Sequence, residues 1–415
     1  MLSTRWLLAG LVLHLLLQFA PAWQRVRSAP SGRDYASYYY AVHVAARGGD
    51  PYDTAGLSAT ALKERTRKYV HPYFYPPPFL LGMTWALPLS LKQAYVWMLA
   101  LNELLLFGSL AVLVRAFGVA PPIVALLLAT YTPIPDNAWM GQANLMALFP
   151  ALLGLALVRQ RPGVAGVLVG VAGMLKMSPA LFLLSWALER RWRAVGAAVG
   201  TAVLLSLLCL PLVGLPEQIG FYLDVLPGFA AGDYHGLTVP ISLPANHSVP
   251  DLFNRWWPGT SETRLSEPAQ WAAKLAAAVL LSIWAWRFHR EPAAPERTGA
   301  GLGVLTVWMV LLPAYTYEHH LVFLLLPVGL AGTAALGTRR PGPILVFVVA
   351  YFFLAWPLAW LNDAREALPA LDTPIRESKF VAALMMVVLL SWRVRPAVEP
   401  EARSAPPIPG AASTS

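Results

Sequence analysis

The chain has little charge for its size: 31 Lys and Arg and 22 Asp and Glu make up 13% of 415 residues, where soluble domains carry about 25%. That deficit excludes an ordinary soluble enzyme and a disordered protein, both of which need far more polar surface. Cysteine is nearly absent, and the single Cys209 excludes an intrachain disulfide scaffold. No zinc-ligand spacing, Walker loop or dinucleotide fingerprint follows a strand pattern, and no solenoid-length repeat is visible. Apolar residues, by contrast, are 57% of the chain. The net charge of +9 comes mainly from short basic clusters between apolar runs. This is the pattern of membrane topology, so the basic balance implies a lipid bilayer as partner and no nucleic acid.

Apolar runs lie near residues 6 to 23, 94 to 114, 119 to 133, 143 to 158, 163 to 175, 179 to 188, 194 to 213, 269 to 286, 299 to 315, 321 to 336, 343 to 360 and 380 to 392. They predict an all-α polytopic protein of about 11–12 transmembrane helices. Basic clusters at Arg159/Arg161, Arg190/Arg191/Arg193, Arg287/Arg290, Arg339/Arg340 and Arg393/Arg395 assign their connections to the cytoplasm. The resulting organisation is a first helix or signal anchor (1–23), an extracytoplasmic loop with interfacial helices (24–92), a transmembrane bundle (93–213), a second outer loop (214–267), a C-terminal bundle (268–395) and a disordered cytoplasmic tail (396–415). Counting sides leaves one apolar piece that does not cross. Pro76, Pro77, Pro78 and Pro88 select 74–90 as a re-entrant or interfacial segment. The rival reading joins 163 to 188 into one helix and buries Lys176 midway, at a cost of at least ~2.5 kcal/mol.

Polar groups then gather on the outer face. Asp34 precedes Tyr38, Ala41, Val42 and Ala45 at helical spacing, which predicts a surface-lying helix with a carboxylate at its N-terminus. Taken alone, Asp34 reads equally as a helix cap and Gly49-Asp50-Pro51-Tyr52-Asp53 as a turn. Gln142 and Asn144 fit helix-cap amides, Lys176 a snorkelling side chain, and His319-His320 an interfacial turn. Asn246-His247-Ser248 also matches a glycosylation sequon.

The order of these pieces changes the weighing. An outer Asp34 followed by Tyr and small residues, Gly49-Asp50-Pro51-Tyr52, Tyr75-Pro76-Pro77, Gly141-Gln142-Ala143-Asn144, Leu175-Lys176, Asn246-His247-Ser248 and His319-His320 resembles glycosyltransferase family 87. These are bacterial membrane mannosyltransferases of the GT-C class. The resemblance runs over residues 6 to 395 and implies a multi-pass enzyme of the bacterial inner membrane with its site on the extracytoplasmic side. It implies transfer of a hexose, mannose above others, from a polyprenyl-monophosphate donor to a hydroxyl of a glycolipid, polysaccharide or other glycan acceptor.

By the same resemblance Asp34 is the general base, and Lys176, His319, His320 and Arg255 bind the donor phosphate. Tyr38, Asp50, Tyr75, Gln142, Asn144, Asn246, Ser248 and Glu318 are substrate contacts, with Asp50, Asp53 and Glu318 open as rival bases. A single base and no assigned nucleophile imply inversion at the anomeric carbon. No Asp-x-Asp pair surrounds Asp34, so no metal and no cofactor are expected. The rival class is a transporter or flippase of lipid-linked sugars, which predicts paired broken helices and midplane polar groups instead.

Overall fold

A computed structural model describes residues 2–28, 34–232, 240–289 and 295–392. The tail at 396–415 and the cluster residues Arg290, Arg393 and Arg395 lie outside the described residues. Among those described there is no β-strand.

The first helix, α1 (Thr4–Ser28), is bent through a π-turn at Leu15–Phe19. Two short helices follow, α2 (Tyr35–Ala45) and α3 (Thr54–Lys63), then a 3-10 helix at Pro77–Ala86. At ~2 Å rise per residue such a ten-residue piece reaches about 20 Å, short of the ~30 Å hydrocarbon core. The bundle continues with α4 (Leu91–Phe117), α5 (Pro121–Thr130), α6 (Pro133–Met140), α7 (Asn144–Leu157), α8 (Pro162–Leu175), α9 (Ser178–Leu188) and α10 (Trp192–Cys209). The C-terminal half holds α11 (Val249–Trp256), α12 (Glu267–His289), α13 (Pro295–Leu311), a 3-10 turn at Glu318–Leu324, α14 (Leu325–Thr338), α15 (Pro341–Ala355), α16 (Leu358–Ala367) and α17 (Ser378–Trp392).

Length and composition qualify five of these helices as membrane spans, and six if α15 and α16, bent by 95° at their junction, form one broken span. Five further apolar helices of 10–17 residues are too short to qualify alone. The expectation of 11–12 crossings is therefore met only by counting those short helices. Apolar side chains such as Leu104, Leu207, Leu275 and Phe352 are more than half exposed, as lipid-facing positions are. The protein is an all-α membrane protein.

Two sequence expectations change. The helix reading that joined 163 to 188 fails, because Lys176 is extended (φ −155°, ψ 123°) and breaks the chain between α8 and α9. And α2 is not one-sided: Tyr35 through Val42 are all buried, so it is enclosed by its own chain, where a surface-lying amphipathic face was expected. Four tyrosines among eleven residues carry enough apolar ring to bury every face.

The basic-cluster ends meet at one end of the bundle. Arg159 donates to Thr298 Oγ1 (3.1 Å), and Arg287 donates to the Ser391 carbonyl (3.2 Å). Close helix contact there depends on small residues. A Cβ on Gly166 or Gly170 of α8 would lie 2.2 or 2.7 Å from a backbone oxygen of α10.

Candidate active site

The opposite end of the bundle encloses a cavity of about 1190 Å³. Asp34, Tyr38, Tyr75, Gln142, Lys176, Glu318, His319 and His320 all line it, drawn from five separate stretches of chain. This is larger than the ~300–1,000 Å³ of most small-molecule sites, and its wall is mostly apolar, with Trp308, Met309 and Val310 of α13 and Ala273 and Ala277 of α12 among the lining residues.

Asp34 sits at the N-cap position of α2, yet its side chain makes no cap hydrogen bond. Its backbone N–H donates to Met140 O (3.1 Å), tying it to the end of α6, and its carboxylate instead accepts from the Gln142 amide. Gln142 is fixed in turn, because Tyr38 and Tyr75 both donate to its Oε1, at 3.0 and 2.8 Å. Burial first, then each other and Asp34, hold the Tyr38 hydroxyl well above its ordinary pKa, and burial does the same for Tyr75. Both therefore stay donors, and the amide keeps its N–H toward Asp34.

The turn that delivers Gln142 needs glycine. Gly141 has φ +68°, and a Cβ there would stand 2.5 Å from Tyr35 Cβ.

Across the cavity, Lys176 donates to Asn144 Oδ1 at 2.5 Å, and Asn144 donates to the His319 carbonyl at 2.8 Å. The Lys176 ammonium also lies 5.6 Å from the centre of the Tyr75 ring. Asn144 is fully buried and does not line the cavity, so it is the bracket that aims Lys176. His320 Nδ1 accepts from the Tyr317 backbone N–H at 3.0 Å, which leaves Nε2 as the proton-bearing nitrogen. The two imidazoles are 4.3 Å apart. A carboxylate, an ammonium and an N–H imidazole thus share one enclosure.

The remaining sequence candidates do other work. Asp50 caps its own turn by accepting from Tyr52 N (2.8 Å), and Asp53 caps α3 by accepting from Ala55 N (3.0 Å). Neither lines the cavity. Asn246 bridges the Ile241 and Ala314 carbonyls (both 3.0 Å) and accepts from Thr316 N (2.9 Å). Ser248 donates to the Ala314 carbonyl at 2.9 Å and caps α11. Both are buried scaffold, which also removes Asn246 as an exposed glycan acceptor. Arg255 pairs with Glu377 and, at 3.4 Å, with Asp251, in an ionic cluster that includes Arg376 and does not line the cavity. Glu318 touches the cavity but is held between His247 Nε2 (2.8 Å) and Lys379 Nζ (2.5 Å), so its carboxylate is already matched.

Among the cavity residues without an assignment in the sequence reading are Asp136 and Trp139 of α6. Their signal was an acid in the first turn of a short proline-started helix, directly before the turn that carries Gln142.

A large, mostly apolar cavity thus sets an acid against fixed cations within a membrane protein. Comparison with known proteins gives the family: the chain belongs to glycosyltransferase family 87, whose model matches residues 73–313. It is a glycosyltransferase. Asp34, Tyr38 and the His319-His320 pair flank that matched stretch, while Tyr75, Gln142, Asn144 and Lys176 fall within it.

Among similar curated proteins is the polyprenol-phosphate-mannose-dependent alpha-(1-2)-phosphatidylinositol pentamannoside mannosyltransferase of Mycolicibacterium smegmatis. It is 26% identical over 330 residues, covering 77% of this chain and 74% of that one. The protein of the same description from Mycobacterium tuberculosis is 26% identical over 332 residues, covering 76% and 70%. A polyprenol-phosphate-mannose-dependent alpha-(1-2)-phosphatidylinositol mannoside mannosyltransferase of Mycobacterium tuberculosis is 24% identical over 387 residues, covering 87% and 83%. No solved structure matches.

Proposed function

We propose that this glycosyltransferase moves mannose from a polyprenyl-phosphate donor to a hydroxyl of a glycolipid acceptor, with inversion, and that Asp34 is the general base. The observation that carries the reading is the Asp34 carboxylate itself, which is not used as the cap of α2 and is turned toward the cavity shared with Lys176 and His320. The donor and the sugar are those named for the similar mycobacterial enzymes.

In the reaction Asp34 takes the proton of the acceptor hydroxyl as that oxygen attacks the anomeric carbon. The carbon–oxygen bond to the carrier breaks, and the electron pair leaves with polyprenyl phosphate. Gln142, locked by Tyr38 and Tyr75, orients the carboxylate. The Lys176 ammonium and the His320 Nε2–H meet the negative charge that grows on the phosphate. An isoprenoid tail keeps the donor in the bilayer at ~0.8 kcal/mol per buried CH₂, and the apolar wall of the cavity suits such a molecule. One displacement inverts the centre. We place the protein in the bacterial plasma membrane with the cavity on the extracytoplasmic side, because the arginine-rich connections gather at the other end.

No metal is assigned a role here, and the cations named above carry the phosphate charge. Among the described residues no three His, Cys, Asp or Glu converge as a metal-ligand group.

The deciding experiment uses Asp34→Asn, inserted at wild-type level, with radiolabelled polyprenyl-phosphate-mannose and phosphatidylinositol mannoside acceptors. We expect transfer to fall by about 10²–10⁴-fold while donor binding is kept; undiminished transfer would remove Asp34 as the base. Transfer should also survive EDTA, and its loss would return a metal to the scheme.

A further inference from the structure

Asp136 is the one acid lining the cavity, among the described residues, whose side chain has neither a hydrogen bond nor an ion pair. Asp34 has Gln142 and Glu318 has two cations. The Asp136 carboxylate is largely buried. Its charged neighbours are Glu318, Lys379 and Arg25. Three residues on, Trp139 also lines the cavity, with the Arg25 guanidinium 5.9 Å from its ring centre. Both side chains belong to α6, the helix whose end accepts the Asp34 N–H through Met140 and leads into Gln142.

We propose that Asp136 and Trp139 form the acceptor subsite, Asp136 accepting hydrogen bonds from hydroxyls of the acceptor sugar and Trp139 lying against its apolar ring face. The inference rests on the transfer reading given above. An ionised carboxylate offers acceptors only, and its neutral form still accepts at one oxygen, so in either state it is matched by a sugar ring, which brings several O–H groups on adjacent carbons. The donor's phosphate is repelled by an acid and is served instead by Lys176 and His320. That leaves neutral sugar hydroxyls beside Asp136, and the tie of α6 to Asp34 through Met140 assigns them to the acceptor rather than to the donor mannose. Because α6 runs from Asp136 to the Asp34 contact at Met140, a sugar held at one end presents a neighbouring hydroxyl to the base at the other. Asp136 is thus a binding and specificity residue, and no bond is made or broken at it.

The test measures transfer from a short-chain polyprenyl-phosphate-mannose to a phosphatidylinositol mannoside and to octyl mannoside. Acceptor and donor KM are determined separately for Asp136→Asn, Asp136→Glu, Trp139→Ala and Trp139→Phe. Asp136→Asn should raise the KM for both acceptors about tenfold, the size expected when one charge-assisted hydrogen bond is lost. Donor KM should stay within about twofold, and Asp136→Glu should recover part of the loss. Trp139→Ala should act in the same direction and Trp139→Phe less. A rise in donor KM instead would move the subsite to the donor sugar and overturn the proposal, as would unchanged acceptor KM. If Asp136→Asn does not insert, the Trp139 pair decides on the same criteria. A wild-type protein that transfers mannose to neither acceptor would sink the transfer reading itself, a result distinct from any change confined to the variants.

Discussion

Two polar walls, one lining the cavity and one that meets it only at Glu318 and otherwise lies behind it, are built on opposite plans. On the N-terminal wall, Asp34, Gln142, Tyr38 and Tyr75 are wired to one another so that a carboxylate faces inward. On the C-terminal side, Asn246, Ser248, His247, Glu318, Lys379, Arg255, Asp251 and Glu377 spend their polar groups almost wholly on each other and on backbone carbonyls. The first wall holds charge for a ligand, and the second uses charge to fasten segments that are far apart in sequence. The difference teaches that a conspicuous acid in an apolar chain is a functional candidate only when its partners leave it an open side.

The largest effect that separates the walls is in stability. Glu318→Ala leaves Lys379 buried without its anion, and breaking such a pair costs about 3–5 kcal/mol. We expect the variant to accumulate poorly in membranes, whereas Asp34→Asn accumulates normally and only loses transfer. The double variant Glu318→Leu/Lys379→Met should recover much of the lost protein, since removing both charges removes the unmatched one. A stable but inactive Glu318→Ala would mean that Glu318 belongs to the catalytic wall.

Next is Asp136. Burial, then the neighbouring Glu318, push its carboxyl up to about 7. A raised acid costs the folded state stability once pH passes its unfolded value near 4, and the cost grows until about pH 7. Replacing it by Asn removes that cost, so the thermal stabilisation of Asp136→Asn in detergent should be larger at pH 8 than at pH 5, by roughly 2 kcal/mol. An equal gain at both pH values would show that Asp136 does not titrate in this window.

Much of the polar lining of the cavity could be read from the sequence. In a chain with so few charges, Asp34, Lys176 and the His319-His320 pair stand out, and Gln142 and Tyr75 sit in short motifs whose order carried the family resemblance. The C-terminal wall could not be read. Arg255 is fixed by Glu377, 122 positions away, and Glu318 by His247 and Lys379, 71 and 61 away. Pairings over such separations leave no local spacing to detect. Asp136 stands in the outer stretch from Asp136 to Asn144, but only Gln142 and Asn144 of that stretch carried a motif, so it received no role. The full burial of α2 was missed because four tyrosines satisfy a one-sided pattern as readily as an all-round one.

The comparison is sharpened most finely at Gln142 and Arg255, two long polar side chains that the sequence reading assigned to a substrate contact and to the donor phosphate. Gln142→Ala removes the amide that orients Asp34 but leaves the base in place. We expect kcat to fall about 10–100-fold with donor KM little changed, the loss of positioning without loss of binding. Arg255→Gln removes a partly exposed partner of Glu377 and Asp251 outside the cavity. Its effect should be on melting temperature alone, about 1 kcal/mol or less after solvent screening, because Arg376 remains beside the same two acids. If Arg255→Gln instead raised the donor KM, the ionic cluster would have to reach the phosphate. The division between a wall that serves the ligand and a wall that serves the fold would then fail at its most distant point.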